Sequence, residues 1–171
     1  MRKIVQAEII EDSIITEDSD PAREFYAKNG FGKINKGKVV LSFFEAAYLI
    51  EADKLKIKKY PTMEKFIKMA SRKQKNFSTN YSVFKDLRSR GYIVKTALKF
   101  GAEFRVYDKG IKPGEDHAKW VVYPVNETRS LTWHEFSAKN RVAHSTKKRL
   151  LIGIVDSEQD VTYYEIKWMR P

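Results

Sequence analysis

Tyr107, His117 and Lys148 place a phenol, an imidazole and an ammonium in the back half of a 171-residue chain. Each stands in a short, distinctive neighbourhood: KFGAEFRVYDKG (Lys99 to Gly110), EDHAKWVVY (Glu115 to Tyr123) and NRVAHSTKKRLLIGIVD (Asn140 to Asp156). Three such groups suffice to cleave RNA through its own 2′-hydroxyl without a metal. That reaction needs a base for the 2′-OH proton, an acid for the departing 5′-oxygen, and positive charge beside the crowded phosphorane. Imidazole titrates at about pH 6.5, so it holds a proton and still releases it near neutrality. Lysine is a compact, mobile point charge that follows phosphoryl oxygens. A phenol is the awkward member, because at its ordinary pKa of about 10 only about 0.1% is ionised at pH 7. A tyrosine base therefore needs a cation beside it or works through a small reactive fraction. Lys148 supplies that cation if the two side chains converge.

Taken singly, each residue has a plainer reading. Tyr107 is one of nine tyrosines, and a strand tyrosine is usually packing. His117 is one of three histidines, with His134 and His144. Lys148 lies in the run Lys147-Lys-Arg149, ordinarily a solvated strand entrance. Their joint occurrence in three neighbourhoods is what carries weight.

The elements that must position these groups are legible in outline. In the front half, Ile4 to Ile10 and Ser13 to Thr16 read as strands around a turn at Glu11-Asp12. Asp20-Pro21 opens a helix, with Asp20 as N-cap, and Asn29-Gly30 stops it. Val39 to Leu41 reads as a strand, and Ser42-Phe-Phe-Glu45 is a capping box opening a helix to about Ala52. Pro61-Thr-Met-Glu64 opens a third helix that ends in the basic run Ser71 to Lys75. A further helix begins at Asn76 to Ser78, carries Tyr81, Phe84, Leu87 and Arg88 at helical spacing, and ends at Arg90-Gly91.

Short strands follow: Tyr92 to Thr96, Glu103 to Tyr107, and Ala118 to Val125. Thr132-Trp-His-Glu135 is a second capping box, starting a helix to about Ala143. Leu150 to Val155 is a continuous apolar run, as expected of a strand covered on both faces. Val161 to Met169 closes the chain. The fold class is α/β (α+β): a small N-terminal mixed domain, residues 1–80, packed on a C-terminal domain, residues 81–171, whose central mixed sheet is flanked by helices. Gly101 and Gly110 turn the backbone around the strand bearing Tyr107, and Lys112 to Asp116 reads as a mobile turn delivering His117.

Composition narrows the partners. Residues 1–53 carry seven Lys/Arg against ten Asp/Glu, residues 54–100 fourteen against two, and residues 101–171 twelve against ten. Nearly all of the +11 excess therefore lies in the middle third, from Lys54 to Lys99. Such a stretch suits a polyanion, since neutralised phosphates release condensed counterions. The plainer alternative is a solvated, lysine-rich surface of the kind common in heat-adapted proteins. The chain has no cysteine, so disulfides and thiolate metal sites are excluded. No stretch approaches the roughly 20 apolar residues of a membrane span, and MRKIVQAEIIED lacks the apolar region of a secretory signal. A cytoplasmic location without membrane contact is expected.

The GAEFRVY, EDHAKW and VAHSTKK segments resemble the archaeal tRNA-intron (tRNA-splicing) endonuclease family, closely in the back half and more loosely in the front. The resemblance implies that Tyr107 is the general base, His117 the general acid and Lys148 the charge stabiliser. Lys148 is chosen over Lys147 by its place four residues after the Ala-His pair, and His144 is read as structural. The implied activity cuts precursor tRNA at bulge-helix-bulge intron boundaries by transesterification, leaving 2′,3′-cyclic phosphate and 5′-hydroxyl ends, with no metal and no cofactor. It further implies a bulge nucleotide held between flat side chains. Arg141 matches one position, and Trp168 is the candidate for the other, against the reading of a half-buried sheet aromatic. Finally, it implies that the acidic turn Asp156-Ser-Glu-Gln-Asp160 inserts into a basic pocket of a neighbouring subunit. Asp156, Glu158 and Asp160 would then build a homotetramer, a dimer of dimers. A heterotetramer with a non-catalytic subunit is also compatible with the sequence.

Two other readings compete. Glu165-Ile-Lys167, with Asp156 upstream, resembles the Glu-x-Lys element of restriction-type, metal-dependent nucleases. The basic middle segment alone would suit a non-catalytic protein that binds structured RNA.

Overall fold

The computed structural model describes residues 4–98 and 101–171. Met1 to Lys3 lie outside the described residues, as do Lys99 and Phe100, which open the first of the three motifs. The chain divides into two compact units, Met1–Ser78 and Thr79–Pro171.

The first unit holds a five-stranded sheet in the order β3-β4-β2-β1-β5. Its strands are β1 (Val5–Ile10), β2 (Ser13–Thr16), β3 (Lys33–Asn35), β4 (Lys38–Leu41) and β5 (Leu55–Ile57). Helices α1 (Asp20–Ala27), α2 (Phe43–Glu51) and α3 (Met63–Lys73) accompany it. The Ser42–Glu45 capping box forms as the sequence predicts. Glu45 is buried, and its second oxygen accepts from the Gly32 N–H (2.7 Å).

Three expectations shift here. The N-cap of α1 is Ser19, not Asp20: Ser19 is extended and its hydroxyl accepts from Ala22 N–H, while Asp20 enters the first turn and pairs with Arg23. The strands β3 and β5 carry no obvious apolar run. The first is exposed throughout and is recruited by the Lys36-Gly37 turn, both residues at positive φ. In β5, Leu55 and Ile57 are buried while Lys56 faces out, so part of the lysine-rich run is a strand.

The second unit is built on a five-stranded sheet in the order β10-β9-β8-β7-β6. It comprises β6 (Ile93–Thr96), β7 (Phe104–Tyr107), β8 (Trp120–Asn126), β9 (Arg149–Val155) and β10 (Val161–Ile166). Strands β8 and β9 are parallel; the other pairs are antiparallel. Helix α4 (Phe77–Ser89) crosses the division between the units and packs on one face, with Phe84 against Phe104 (centroids 5.8 Å). A side chain at Gly153 would come within 3.0 Å of Val83, so this glycine is what allows α4 to approach β9. Helix α5 (Trp133–Ser145) covers the other face, where Ala143 packs with Val121, Tyr123, Leu150 and Ile152. Strand β9 is thus buried on both sides, as its apolar run predicts. Strand β10 stops at Ile166, opposite Leu150, rather than at Met169.

Candidate active site

Backbone bonds across three neighbouring strands bring the motif residues to one place. Lys119 N–H donates to Val106 C=O (2.8 Å), and Arg149 N–H donates to Lys119 C=O (3.0 Å). These bonds link the residue before Tyr107, the segment just after His117, and the residue after Lys148. Strand alternation then decides the faces. Phe104 and Val106 point toward the α4 side, so Arg105 and Tyr107 point toward the α5 side.

Tyr107 closes β7. Its ring packs with Ile93, its cross-strand partner, and with Ala118 and Ile111, and only 4% of the residue is exposed. The same burial of Ala118 fixes the residue beside His117. The preceding loop is shaped by its own bonds: Glu115 N–H donates to Lys112 C=O (3.0 Å) and Lys112 N–H to the Glu115 carboxylate (2.9 Å). Asp116 accepts from the backbone N–H of His117 (2.6 Å). His117 is exposed at the end of this loop. Gly101 and Gly110, expected to turn the backbone, have φ values of 71° and 80°.

Lys148 is delivered by the end of α5. Lys147 adopts a left-handed conformation (φ 54°), its N–H bonding to His144 C=O (3.0 Å) while Lys148 N–H reaches Ala143 C=O (2.9 Å). This pair of bonds is a Schellman ending. The half-buried Lys148 ammonium donates to the Thr146 carbonyl (2.9 Å).

Tyr107, His117 and Lys148 line one cleft of about 400 Å³, together with Arg105, Ala118 and the turn Gly114 to Asp116. Arg105 is the residue that motif reading passed over. Its guanidinium lies 5.8 Å over the Tyr107 ring, and its place two residues before Tyr107 on a strand was the available signal. Beside the cleft, Lys119 donates to Asp108 (2.9 Å) and holds that carboxyl below its usual range.

The remaining candidates lie elsewhere. Arg141 is exposed on α5, one helical turn before His144. Trp168 is 54% exposed beyond the end of β10, so it is not a sheet aromatic; its ring lies 4.8 Å from that of His144. In the acidic turn, Asp156 accepts from the N–H groups of Glu158 and Asp160 (2.9 Å each), which commits its carboxylate to shaping the turn. Glu158 and Asp160 are exposed.

The Glu-x-Lys arrangement does not assemble. Glu165 sits opposite Leu151 and accepts from Trp120 Nε1 (2.8 Å) and Arg149 (3.2 Å), which holds its carboxyl low. Asp156 follows the far end of β9, about 13 to 17 Å along the strand. Among the described residues no group of three His, Asp or Glu side chains is placed to hold a metal ion. No helix among them is long and apolar enough to cross a membrane.

Comparison with known proteins finds matches over nearly the whole length of the chain. The family described as tRNA intron endonuclease, catalytic C-terminal domain, matches residues 77–163, and that described as tRNA intron endonuclease, N-terminal domain, matches residues 5–67. The chain is 39% identical to a tRNA-splicing endonuclease of Thermococcus kodakarensis over 93% of its own length and 95% of the relative's. It is 38% identical to that of Methanothermobacter thermautotrophicus, covering 98% and 99% of the two chains. With that of Nanoarchaeum equitans it shares 41% identity over 77% and 90%.

Proposed function

From the premise that this chain belongs to the tRNA intron endonuclease family, we propose that it is an RNA endonuclease that cuts precursor tRNA at intron boundaries, with Tyr107, His117 and Lys148 as its catalytic groups. The observation that carries the assignment is the shared cleft: one phenol, one imidazole and one ammonium line a single depression on the α5 side of the sheet.

The chemistry follows from the groups present. Tyr107 takes the proton of the 2′-hydroxyl at the splice site. The freed oxygen attacks the adjacent phosphorus, forming the O2′–P bond. As the P–O5′ bond breaks, His117 gives a proton to the leaving 5′-oxygen. Lys148 offsets the charge that gathers on the non-bridging oxygens, where a fixed cation acts most strongly. The products are a 2′,3′-cyclic phosphate and a 5′-hydroxyl. No step requires a metal ion. Packing of the buried Tyr107 against Ile93 and Ala118 holds the base in place rather than letting it swing.

The substrate is an RNA helix flanked by two bulges. Arg141 and Trp168 flank His144 on the α5 side and supply guanidinium and indole faces for a flipped-out base, each such stack contributing about 1 to 3 kcal/mol. Two cuts at fixed separation need two active sites, and one chain has one. A homotetramer, a dimer of dimers, meets that need, with Glu158 and Asp160 presented on the turn that Asp156 shapes. Residues 1–80 and 81–171 would act as an N-terminal domain and a catalytic domain.

The test is a precursor with a single 2′-deoxy nucleotide at one splice site. Cleavage should stop there and continue at the other boundary. Cleavage at both boundaries would contradict use of the 2′-hydroxyl.

A further inference from the structure

We infer that Arg105 is a phosphate-binding residue of the cleft, holding the non-bridging oxygens of an RNA phosphate through its guanidinium. The inference rests on the proposed assignment of Tyr107, His117 and Lys148, and adds a fourth group to it.

Three observations converge. Arg105 lines the same cleft as the other three side chains and shares a strand face with Tyr107. Its guanidinium carbon lies 5.8 Å from the centre of the Tyr107 ring. Its Nε is buried and makes no hydrogen bond among the described residues. A buried N–H without an acceptor is uncommon in folded proteins and asks for a reason. A partly buried cation ordinarily finds a carboxylate, yet the acids of the adjoining turn accept from backbone: Glu115 from Lys112, and Asp116 from His117. With those two acids engaged by backbone N–H groups, the Arg105 guanidinium is a cation that an anion entering the cleft would meet beside Tyr107.

The chemistry selects the ligand. A guanidinium presents parallel N–H donors in a rigid fork that matches two oxygens of a phosphate, and it carries its charge at every working pH. Lys148 approaches from the start of β9 and Arg105 from β7, on the two strands that flank β8. A phosphodiester between them would have a cation on either side. Because the guanidinium lies 5.8 Å from the Tyr107 ring centre, a phosphate held by Arg105 is placed next to the base.

The experiment compares Arg105→Ala, Arg105→Gln and Arg105→Lys with the unaltered full chain and with Tyr107→Phe, in single-turnover cleavage of a bulge-helix-bulge RNA. Arg105→Ala should cut about 10²-fold more slowly, the typical loss for one preorganised donor to a reacting oxyanion. Arg105→Lys should recover part of the rate, and millimolar guanidinium ion added to Arg105→Ala should raise it again. A merely structural arginine would not respond to the free ion. Arg105→Gln, which keeps part of the stem and a polar end, guards against a folding defect and should also be slow. Cleavage by Arg105→Ala within about threefold of the unaltered protein would overturn the inference, as would a loss that neither lysine nor guanidinium restores. If Tyr107→Phe itself cleaved normally, the underlying catalytic assignment would fail instead.

Discussion

The backbone N–H of Lys148 bonds to the carbonyl of Ala143 at 2.9 Å, so the position of this ammonium is set by how α5 ends. The last of the four intervening residues, Lys147, is left-handed at φ 54° without being glycine. A β-branched side chain there is strained by about 1 to 2 kcal/mol. Lys147→Val should lower the thermal midpoint and slow cleavage by displacing Lys148. Lys147→Gly should keep both stability and rate, since glycine adopts this conformation freely. Equal behaviour of the two variants in a thermal melt would remove the link between helix ending and site.

The proton-transfer roles predict a matched pair of losses. General acid–base groups each contribute about 10² to 10⁴ in rate. Tyr107→Phe and His117→Ala should each fall in that range in single-turnover cleavage. His117 is exposed, so its replacement should leave the circular dichroism melt unchanged. Tyr107→Phe removes one oxygen and keeps the ring that packs on Ile93 and Ala118. A variant as active as the parent would remove that residue from the chemistry.

Glu103 gives a pH signature unrelated to catalysis. Burial raises its carboxyl above the usual 4.5, against a smaller opposing pull from Lys139. Asn80 donates to it at 3.2 Å. Because the folded form binds this proton more tightly than the unfolded chain, stability falls as pH rises from 4.5 toward the folded value. Glu103→Gln removes that penalty and can still accept from Asn80. Its thermal midpoint should match the parent at about pH 3.5 and exceed it at about pH 7. A variant less stable at both would show the charge to be stabilising.

The acidic turn makes a salt-dependent prediction. If Glu158 and Asp160 dock electrostatically on another subunit, the assembled mass seen by light scattering should decrease as salt rises toward 1 M, where the screening length is about 3 Å. The double charge reversal Glu158→Lys with Asp160→Lys should weaken assembly further. Asp156 is unsuitable for this test, because its carboxylate holds the turn. A salt-insensitive tetramer would contradict the docking role.

Much of this architecture is readable from local signals. The capping boxes at Ser42 and Thr132 both form, since each states its own hydrogen-bond partner three residues ahead. The apolar run from Leu150 becomes a strand buried on both faces. What local pattern does not reveal is pairing. Strand β3 exists because a Lys36-Gly37 turn folds it onto β4. The cleft illustrates the same divide. Motifs single out Tyr107, His117 and Lys148 by type, whereas Arg105 is signalled only by strand alternation, two residues before Tyr107. The alternative reading of Trp168 as a half-buried sheet aromatic fails, because the residue lies beyond the end of β10 with its ring against His144.

The most direct measurement is analysis of the ends produced when this chain cuts an intron-containing precursor tRNA in excess EDTA. The account predicts undiminished cleavage, with 2′,3′-cyclic phosphate on one fragment and 5′-hydroxyl on the other. Fragments bearing 5′-phosphate and 3′-hydroxyl, or activity abolished by the chelator, would contradict it.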